Sequence, residues 1–321
     1  MSLVGALNKI GIYVGGGNVE IKHTLVAQAG LAINSGKGKI FYVSSTSGAN
    51  TNNGKSPTQP LATIDAAVGK CLANRGDIIV VMQAHAENIV TATSLVCDIA
   101  GITIVGLGTG SLRPKLSFTA AAGSIVVSAA NVTFKNIVFE AAYADVAEAF
   151  TPTAKYLTIE DCDFQDNAVD QNFVELVDTS TTDNQVDGLA FLNCSWISPD
   201  LSTTAMINLD AACNKIRIIG CYVNLGVNVG NLPALLYVAT GKSFTNIDIS
   251  HNVVVRLNTA NTVLFDGDTT TGLTGRCHHN QVLHADTSGE ALGTSSLVAF
   301  AENYASGVVN TSGYRLPAAD S

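Results

Sequence analysis

The stretch LTIEDCDF (residues 157–164) decides the fold, because its pattern returns thirty-two residues later as LAFLNCSW (residues 189–196). In both, apolar side chains hold the first and third places. A short polar residue holds the fifth, Cys the sixth and a large aromatic the eighth. Further copies read ITIVGLGT from Ile102, VTFKNIVF from Val132 and IRIIGCYV from Ile216. The series ends with IDISHNVV from Ile247, GRCHHNQV from Gly275 and VAFAENYA from Val298. Start-to-start spacings are 30, 25, 32, 27, 31, 28 and 23 residues. Self-similarity at a period of about 20–50 residues is the mark of a stacked-repeat architecture.

Each copy has a physical reading. Alternation of apolar and polar residues over the first places is the period of a half-buried strand. The third places, Ile104, Phe134, Ile159, Phe191, Ile218, Ile249, Cys277 and Phe300, form the core side of that strand. The fifth places are Gly106, Asn136, Asp161, Asn193, Gly220, His251, His279 and Glu302. Gly, Asn, Asp and His tolerate positive φ, so this place predicts a tight left-handed corner between two strands. The sixth places, Ile137, Cys162, Cys194, Cys221, Asn252, Asn280 and Asn303, then point inward. A buried Asn there bonds the Asn of the coils above and below. A further strand precedes most copies: SIVVSA (124–129), NFVELVD (172–178), AMINLD (205–210), ALLYVA (234–239) and TVLFDG (262–267). Two or three short strands per repeat describe one coil of a solenoid. Eight or nine such coils, about 4.8 Å apart, make a rod on the order of 40 Å long.

The chain has 321 residues, 47% of them hydrophobic but only 13% charged, with a net charge of −9. A Ser/Thr/Asn surface suits an all-β stack better than a helical enzyme. No basic run appears, which argues against a nucleic-acid ligand. No apolar run is long enough to span a membrane as a helix. The opening MSLVGALNKIGIYVGGGNVEIKH lacks the pattern of a secretory signal. The seven Cys have no C-x-x-C spacing, so the expectation is free thiols and synthesis in a reducing cytoplasm.

Ahead of the repeats stands NNGKSPTQPLATIDAAVGKCLANRGDIIVV (residues 52–81). Together with the repeat, which runs through roughly residues 40–310, this segment resembles the right-handed parallel β-helix, pectin-lyase-like superfamily. The style is closest to that of bacteriophage virion proteins. In that family a polar Gly/Asn loop, a Pro, an Ala-Thr-Ile helix start and a Gly-Asp turn lead into the first coil. The resemblance implies an all-β, right-handed parallel β-helix over residues 40–306 with a capping helix at 61–73. Ile64, Ala67, Val68, Cys71 and Leu72 would be its apolar positions. GANTNNGK (48–55) is then part of a lid. It lacks the strand–loop–helix context of a phosphate loop and the carboxylates of a calcium loop. Residues 1–39 read as an attachment segment of short strands joined by Gly, and 307–321 as a C-terminal cap or tail.

The best acidic cluster is EDCDFQDNAVDQ (160–171), with Glu160, Asp161, Asp163 and Asp166. Asp178, Asp183, Asp187, Asp266 and Asp268 add to it. Glycosidases group carboxylates about 5–9 Å apart on one face. The competing reading is that these are corner and loop residues, as Asp161 is at a fifth place. Lyases of the family pair calcium-binding carboxylates with a Lys or Arg, and only Arg217 and Arg256 offer themselves. His251, His278, His279 and His284, with Asp248, suggest a metal site. The competing reading is that His fills a left-handed corner. Cys162, Cys194 and Cys221 suggest a soft-metal ladder, against which stands their inward, apolar setting.

From these patterns no catalytic, cofactor-binding or metal-ligating residue is assigned. The leading expectation, drawn in part from the resemblance, is a non-enzymatic virion structural protein made in the host cytoplasm. It would be a capsid decoration or spike-like protein, a homotrimer docking on the major capsid protein or another virion protein, with a host-surface glycan as a further partner. The alternative is a tailspike-type polysaccharide depolymerase using Asp161, Asp163, Asp166, Asp178 and Asp187.

Overall fold

The computed structural model describes residues 38–168, 170–179, 182–198, 205–225, 235–239, 241–256, 262–266, 274–284, 291–293 and 298–305. It also describes the strand backbone at 12–15, 18–21, 25–26, 32–33 and 314–315. Three parallel sheets run the length of the coils, with ten, ten and eight strands. Sheet one holds the first places of the repeat, from Ile40–Val43 to Val298–Ala301. Sheet two follows the corner, from Ala86–Ile89 to Tyr314–Arg315. Sheet three holds the preceding strands, from Leu95–Cys97 to Ala291–Gly293. This is a parallel β-helix.

The register reproduces the alignment of the repeats. Thr103, Thr133, Thr158, Ala190, Arg217, Asp248, Arg276 and Ala299, all second places, form one column in which each pairs with the next. The Gly275 copy therefore sits in the same frame as its neighbours. The fifth place is left-handed at Asn136, Asp161, Asn193, Gly220, His251, His279 and Glu302, with φ of 52° to 70°. Gly106 departs from the expectation: it ends the strand Thr103–Gly106, and the positive φ falls on Gly108 instead. A side chain at Gly106 would run into the carbonyl of Asn136 in the next coil, so glycine is needed there for space rather than for φ.

All seven sixth-place side chains are buried. Asn252 Nδ2 donates to Asn280 Oδ1 at 3.0 Å, and Asn280 Nδ2 to Asn303 Oδ1 at 2.9 Å. Each amide also donates to the third-place carbonyl of the coil before: Asn252 to Ile218, Asn280 to Ile249 and Asn303 to Cys277. The thiols do the same job more weakly, Cys194 to the Ile159 carbonyl at 3.4 Å and Cys221 to that of Phe191 at 3.7 Å. Three Cys are thus followed by three Asn along one ladder, because both present a donor to the same carbonyl. Asn adds an acceptor for a backbone N–H, as Asn252 does for Cys221.

The core is a continuous column of aliphatic and aromatic side chains. Phe139 stacks on Phe164 with centroids 4.9 Å apart, and Trp196 continues that column. The capping helix is shorter than expected, Ile64–Val68 rather than 61–73. Thr63 Oγ1 accepts from Ala66 N, and Ile64, Ala67 and Val68 are buried against the first coils. Leu72 lies outside the helix and is 59% exposed, a correction to its assigned apolar role. The chain turns away at Gly76 (φ 77°), where buried Asp77 accepts from the amides of Lys39 and Leu72 and from Arg75. Asp77 therefore binds the lid to the first strand. Asn50 Oδ1 accepts from Ala62 N and Thr63 N, so the 48–55 loop bonds to its own helix start.

Within residues 1–39, Ile12–Gly15 pairs antiparallel with Asn18–Ile21, and Leu25–Val26 with Ala32–Ile33. Of the tail, Tyr314–Arg315 extends sheet two beyond Tyr304–Ala305, and the rest of 307–321 lies outside the described residues.

Candidate active site

The outward face of sheet three carries a group of carboxyls that the repeat does not mark. In the strand Phe173–Asp178, Leu176 and Val177 both turn inward. The amides of both donate to the Met206 carbonyl, at 3.2 and 3.1 Å. Two residues facing one is a β-bulge. It places Glu175 and Asp178, three apart in sequence, on one outer face. The strand Val146–Pro152 is built alike, with Ala149 and Phe150 buried and Glu148 and Thr151 half-buried. Glu148 pairs in register with Glu175. Asp178 pairs with Asn208, Asn208 with Tyr237, and Tyr237 with Asp266. Asp210 follows directly on the strand Ile207–Leu209.

The electrostatics separate two of these groups. Burial pushes the Glu175 carboxyl up to about 8, and the charges of Asp178, Glu148 and Asp210 add to that against a hydrogen bond with Asn208. Burial and the Asp210 charge push Asp178 up to about 6, opposed by a hydrogen bond from the Thr179 amide. At neutral pH Glu175 therefore holds a proton and Asp178 is largely ionised. Thr151 Oγ1 bonds both Glu148 Oε1 and Ser124 Oγ at 2.9 Å, fixing the neighbouring carboxylate. Asp178 Oδ1 and Asn208 Oδ1 are buried with no hydrogen-bond partner among the described residues.

Of the carboxylates singled out from the sequence whose side chains are described, only Asp178 joins this group. Glu160 and Asp161 share Lys135 Nζ at the coil corner, at 2.7 and 3.1 Å. Asp163 pairs with Arg113 and accepts from Ser195 Oγ at 2.7 Å. Asp166 accepts from Ser198 Oγ at 2.8 Å. Asp163 and Asp166 stand on sheet two, around the corner from Asp178. Asp183 binds Ala212 N and Lys242, and Asp187 binds Asn214 N and Lys155. Those two tie loops to the coil. Asp266 lies in the Asp178 column by its backbone; its side chain, that of Arg256, that of His284 and all of Asp268 lie outside the described residues.

Glu148, Glu175 and Asp210 escaped because the repeat was aligned on sheet one. A second alignment on the preceding strands would have stacked VAEAFTP on FVELVD, with Glu twenty-seven residues below Glu.

The histidines behave as a corner stack. His251 and His279 lie face to face at 4.9 Å and 4°, both with left-handed φ. His279 also pairs with Glu302, and His278 Nε2 stands 3.4 Å from Asp248. Among the described residues no group of three or more His, Cys, Asp or Glu is arranged to hold a metal ion. The Cys162 thiol, fully buried, is pushed up to about 12 by burial, which suits a core filler rather than a ligand.

No family model and no curated protein matches the sequence. Solved structures that match the chain include two of carbohydrate-active enzymes. One is a rhamnogalacturonan lyase, 13% identical, with a TM-score of 0.51 over 87% of this chain and 84% of its own. The other is a GH136 lacto-N-biosidase from Eubacterium ramulus, 11% identical, with a TM-score of 0.47 over 83% of this chain. This chain spans 60% of that enzyme's length. At 13% identity the likeness to the lyase is one of fold.

Proposed function

We propose that this chain is a polysaccharide-degrading glycoside hydrolase whose active site is the outer face of sheet three. The observation that carries the reading is the pair Glu175 and Asp178, two carboxyls on one bulged strand held apart in proton affinity, near 8 and near 6. Glycoside cleavage uses such a pair. Glu175, protonated at neutral pH, gives its proton to the glycosidic oxygen as the bond to the sugar carbon breaks. Asp178, ionised, faces the positive charge that develops on the ring and serves as base or nucleophile. Glu148 and Asp210 keep the Glu175 proton in place by their charge, and Tyr237 offers a ring further along the same column. The geometry thus favours the depolymerase alternative over a purely structural role, though with Glu175 rather than Asp161, Asp163, Asp166 or Asp187 as partner to Asp178.

The test is release of reducing ends from a panel of neutral and acidic polysaccharides. Glu175→Gln and Asp178→Asn should each lower the rate by about 10²–10⁴-fold. A wild-type protein that cleaves no member of the panel, or variants that cleave like it, would sink the reading.

A second reading, a homotrimeric virion protein, is supported by a different observation. Ile197, Tyr222, Val253, Leu283 and Tyr304 stand exposed in two adjacent columns of sheet two. An apolar stripe of that kind suits packing against sister chains. The two readings are compatible in a spike that cuts a host-surface glycan. Sedimentation should then give three chains per particle, and a monomer at all concentrations would remove the second reading.

A further inference from the structure

A cavity of about 550 Å³ opens where the chain enters sheet one, on a different face from the carboxyl group. That volume lies in the range of about 300–1,000 Å³ typical of small-ligand sites. Tyr156, Gly188, Lys215 and Asn246 border it, each the residue just before a repeat's first place. All four are left-handed, with φ of 63°, 79°, 62° and 56°. This is a second corner in the coil. Gly and Asn satisfy such a corner with little strain; Tyr and Lys rarely adopt it. Tyr156 and Lys215 are therefore held at this rim in spite of their backbone, which is how strain collects at binding sites.

The wall beyond is a stacked column, Arg217 on Asp248 on Arg276. The lining thus carries three cations against one carboxylate, in a chain whose net charge is −9. Asp248 is already approached by Arg276 and His278, both at 3.4 Å. Lys215 and Arg217 are exposed and have no ion-pair partner among the described residues. The floor is nearly bare. The Tyr156 ring lies directly over Gly188, where a Cβ would come within 2.3 Å of Cδ1, and 45% of Tyr156 remains exposed. Buried Ile247 and half-buried Gly275 complete the floor.

An aromatic platform beside unpaired, planar or flexible cations recognises a flat apolar ring face that bears an oxyanion. We propose that this cavity binds an oxyanion carried on a sugar ring, a uronate carboxylate or a sugar sulfate. The ring lies against Tyr156, and Lys215 and Arg217 take the anion. The inference does not rest on the hydrolase reading, since the cavity borders sheet one and the carboxyl pair stands on sheet three. It gives the chain a second hold on an acidic polymer.

Calorimetric titration of the full chain tests it with four probes: a short oligouronate, a sulfated oligosaccharide of equal length, a neutral one, and inorganic sulfate. At least one acidic oligosaccharide should bind, more weakly as salt rises, and the stronger of the two identifies the anion. Arg217→Ala and Lys215→Gly should each weaken binding roughly tenfold. Gly keeps the corner that it already makes at residue 188, so folding is preserved. The inference falls if neither acidic probe binds, if the neutral probe or inorganic sulfate binds as tightly, or if both cavity variants bind unchanged. Binding without cleavage of any polysaccharide would uphold the cavity and remove the hydrolase reading. Cleavage with unaltered binding in Arg217→Ala and Lys215→Gly would do the reverse.

Discussion

Replacing Glu175 by Gln asks whether the fold carries the burden of a misplaced carboxylate. Gln has the same shape, keeps a partner for Asn208, and cannot ionise. In the unfolded chain Glu175 titrates at its ordinary 4.5, and in the fold near 8. A carboxyl with a raised folded value favours the fold at pH below 4.5; that advantage is lost as pH rises towards 8. At about 1.4 kcal/mol per pH unit the full gap is about 5 kcal/mol. Glu175 is only half-buried, so solvent screening leaves about 2 kcal/mol. For a chain of this length that is on the order of 3 °C in Tm. Scanning calorimetry of wild type and Glu175→Gln should give equal Tm at pH 4, with the variant ahead by that amount at pH 9. An offset of one size at every pH, or a variant less stable at pH 9, would refute the reasoning.

Other consequences concern the scaffold. Asn280→Ala removes the acceptor of the Asn252 amide and the donor to the Ile249 carbonyl and to Asn303. Leaving these buried groups unpaired should cost about 3–5 kcal/mol in urea unfolding. Asn280→Cys, which keeps a donor to the Ile249 carbonyl as Cys221 does for Phe191, should cost less. Asp77→Asn should cost about 3 kcal/mol at pH 7, because the carboxylate is buried against Arg75 and two backbone amides. Burial opposes its ionisation, but Arg75 and those amides hold it below the usual carboxylate range. Its stabilisation is therefore present above the ordinary value near 3.8 and fades only as pH falls further. The seven cysteines are free and buried, so a thiol reagent at pH 8 should label the protein only on unfolding. Labelling of the native chain at the rate of a free thiol would contradict the core placement.

Much of the coil was legible in the sequence because the steric demand of the fifth place is local. Asn136, Asp161, Asn193, Gly220, His251 and His279 are residues that accept positive φ, and each announces its own corner. The other corner was not legible. Tyr156 and Lys215 occupy it against their preference, and no residue-type argument finds a Tyr with φ 63°. The carboxyl face was hidden for another reason. Alternation puts Glu175 and Asp178 on opposite faces, and only the bulge at Leu176 and Val177 reunites them. A bulge depends on the strand alongside, where Met206 supplies the shared carbonyl, and so is written in two distant segments at once. Asp161, Asp163 and Asp166 looked like a site because they are close in sequence. The corner between them turns Asp163 and Asp166 onto sheet two, where Arg113, Ser195 and Ser198 hold them.

The most direct measurement is a titration of the side-chain carboxyl of Glu175 by carbon NMR, assigned with the Glu175→Gln variant. The account predicts a midpoint near 8, lowered when Asp178 is replaced by Asn and one neighbouring charge is lost. A midpoint between 4 and 5 would contradict it, because Glu175 would then be a carboxylate at neutral pH and could not be the acid that cleaves a glycosidic bond.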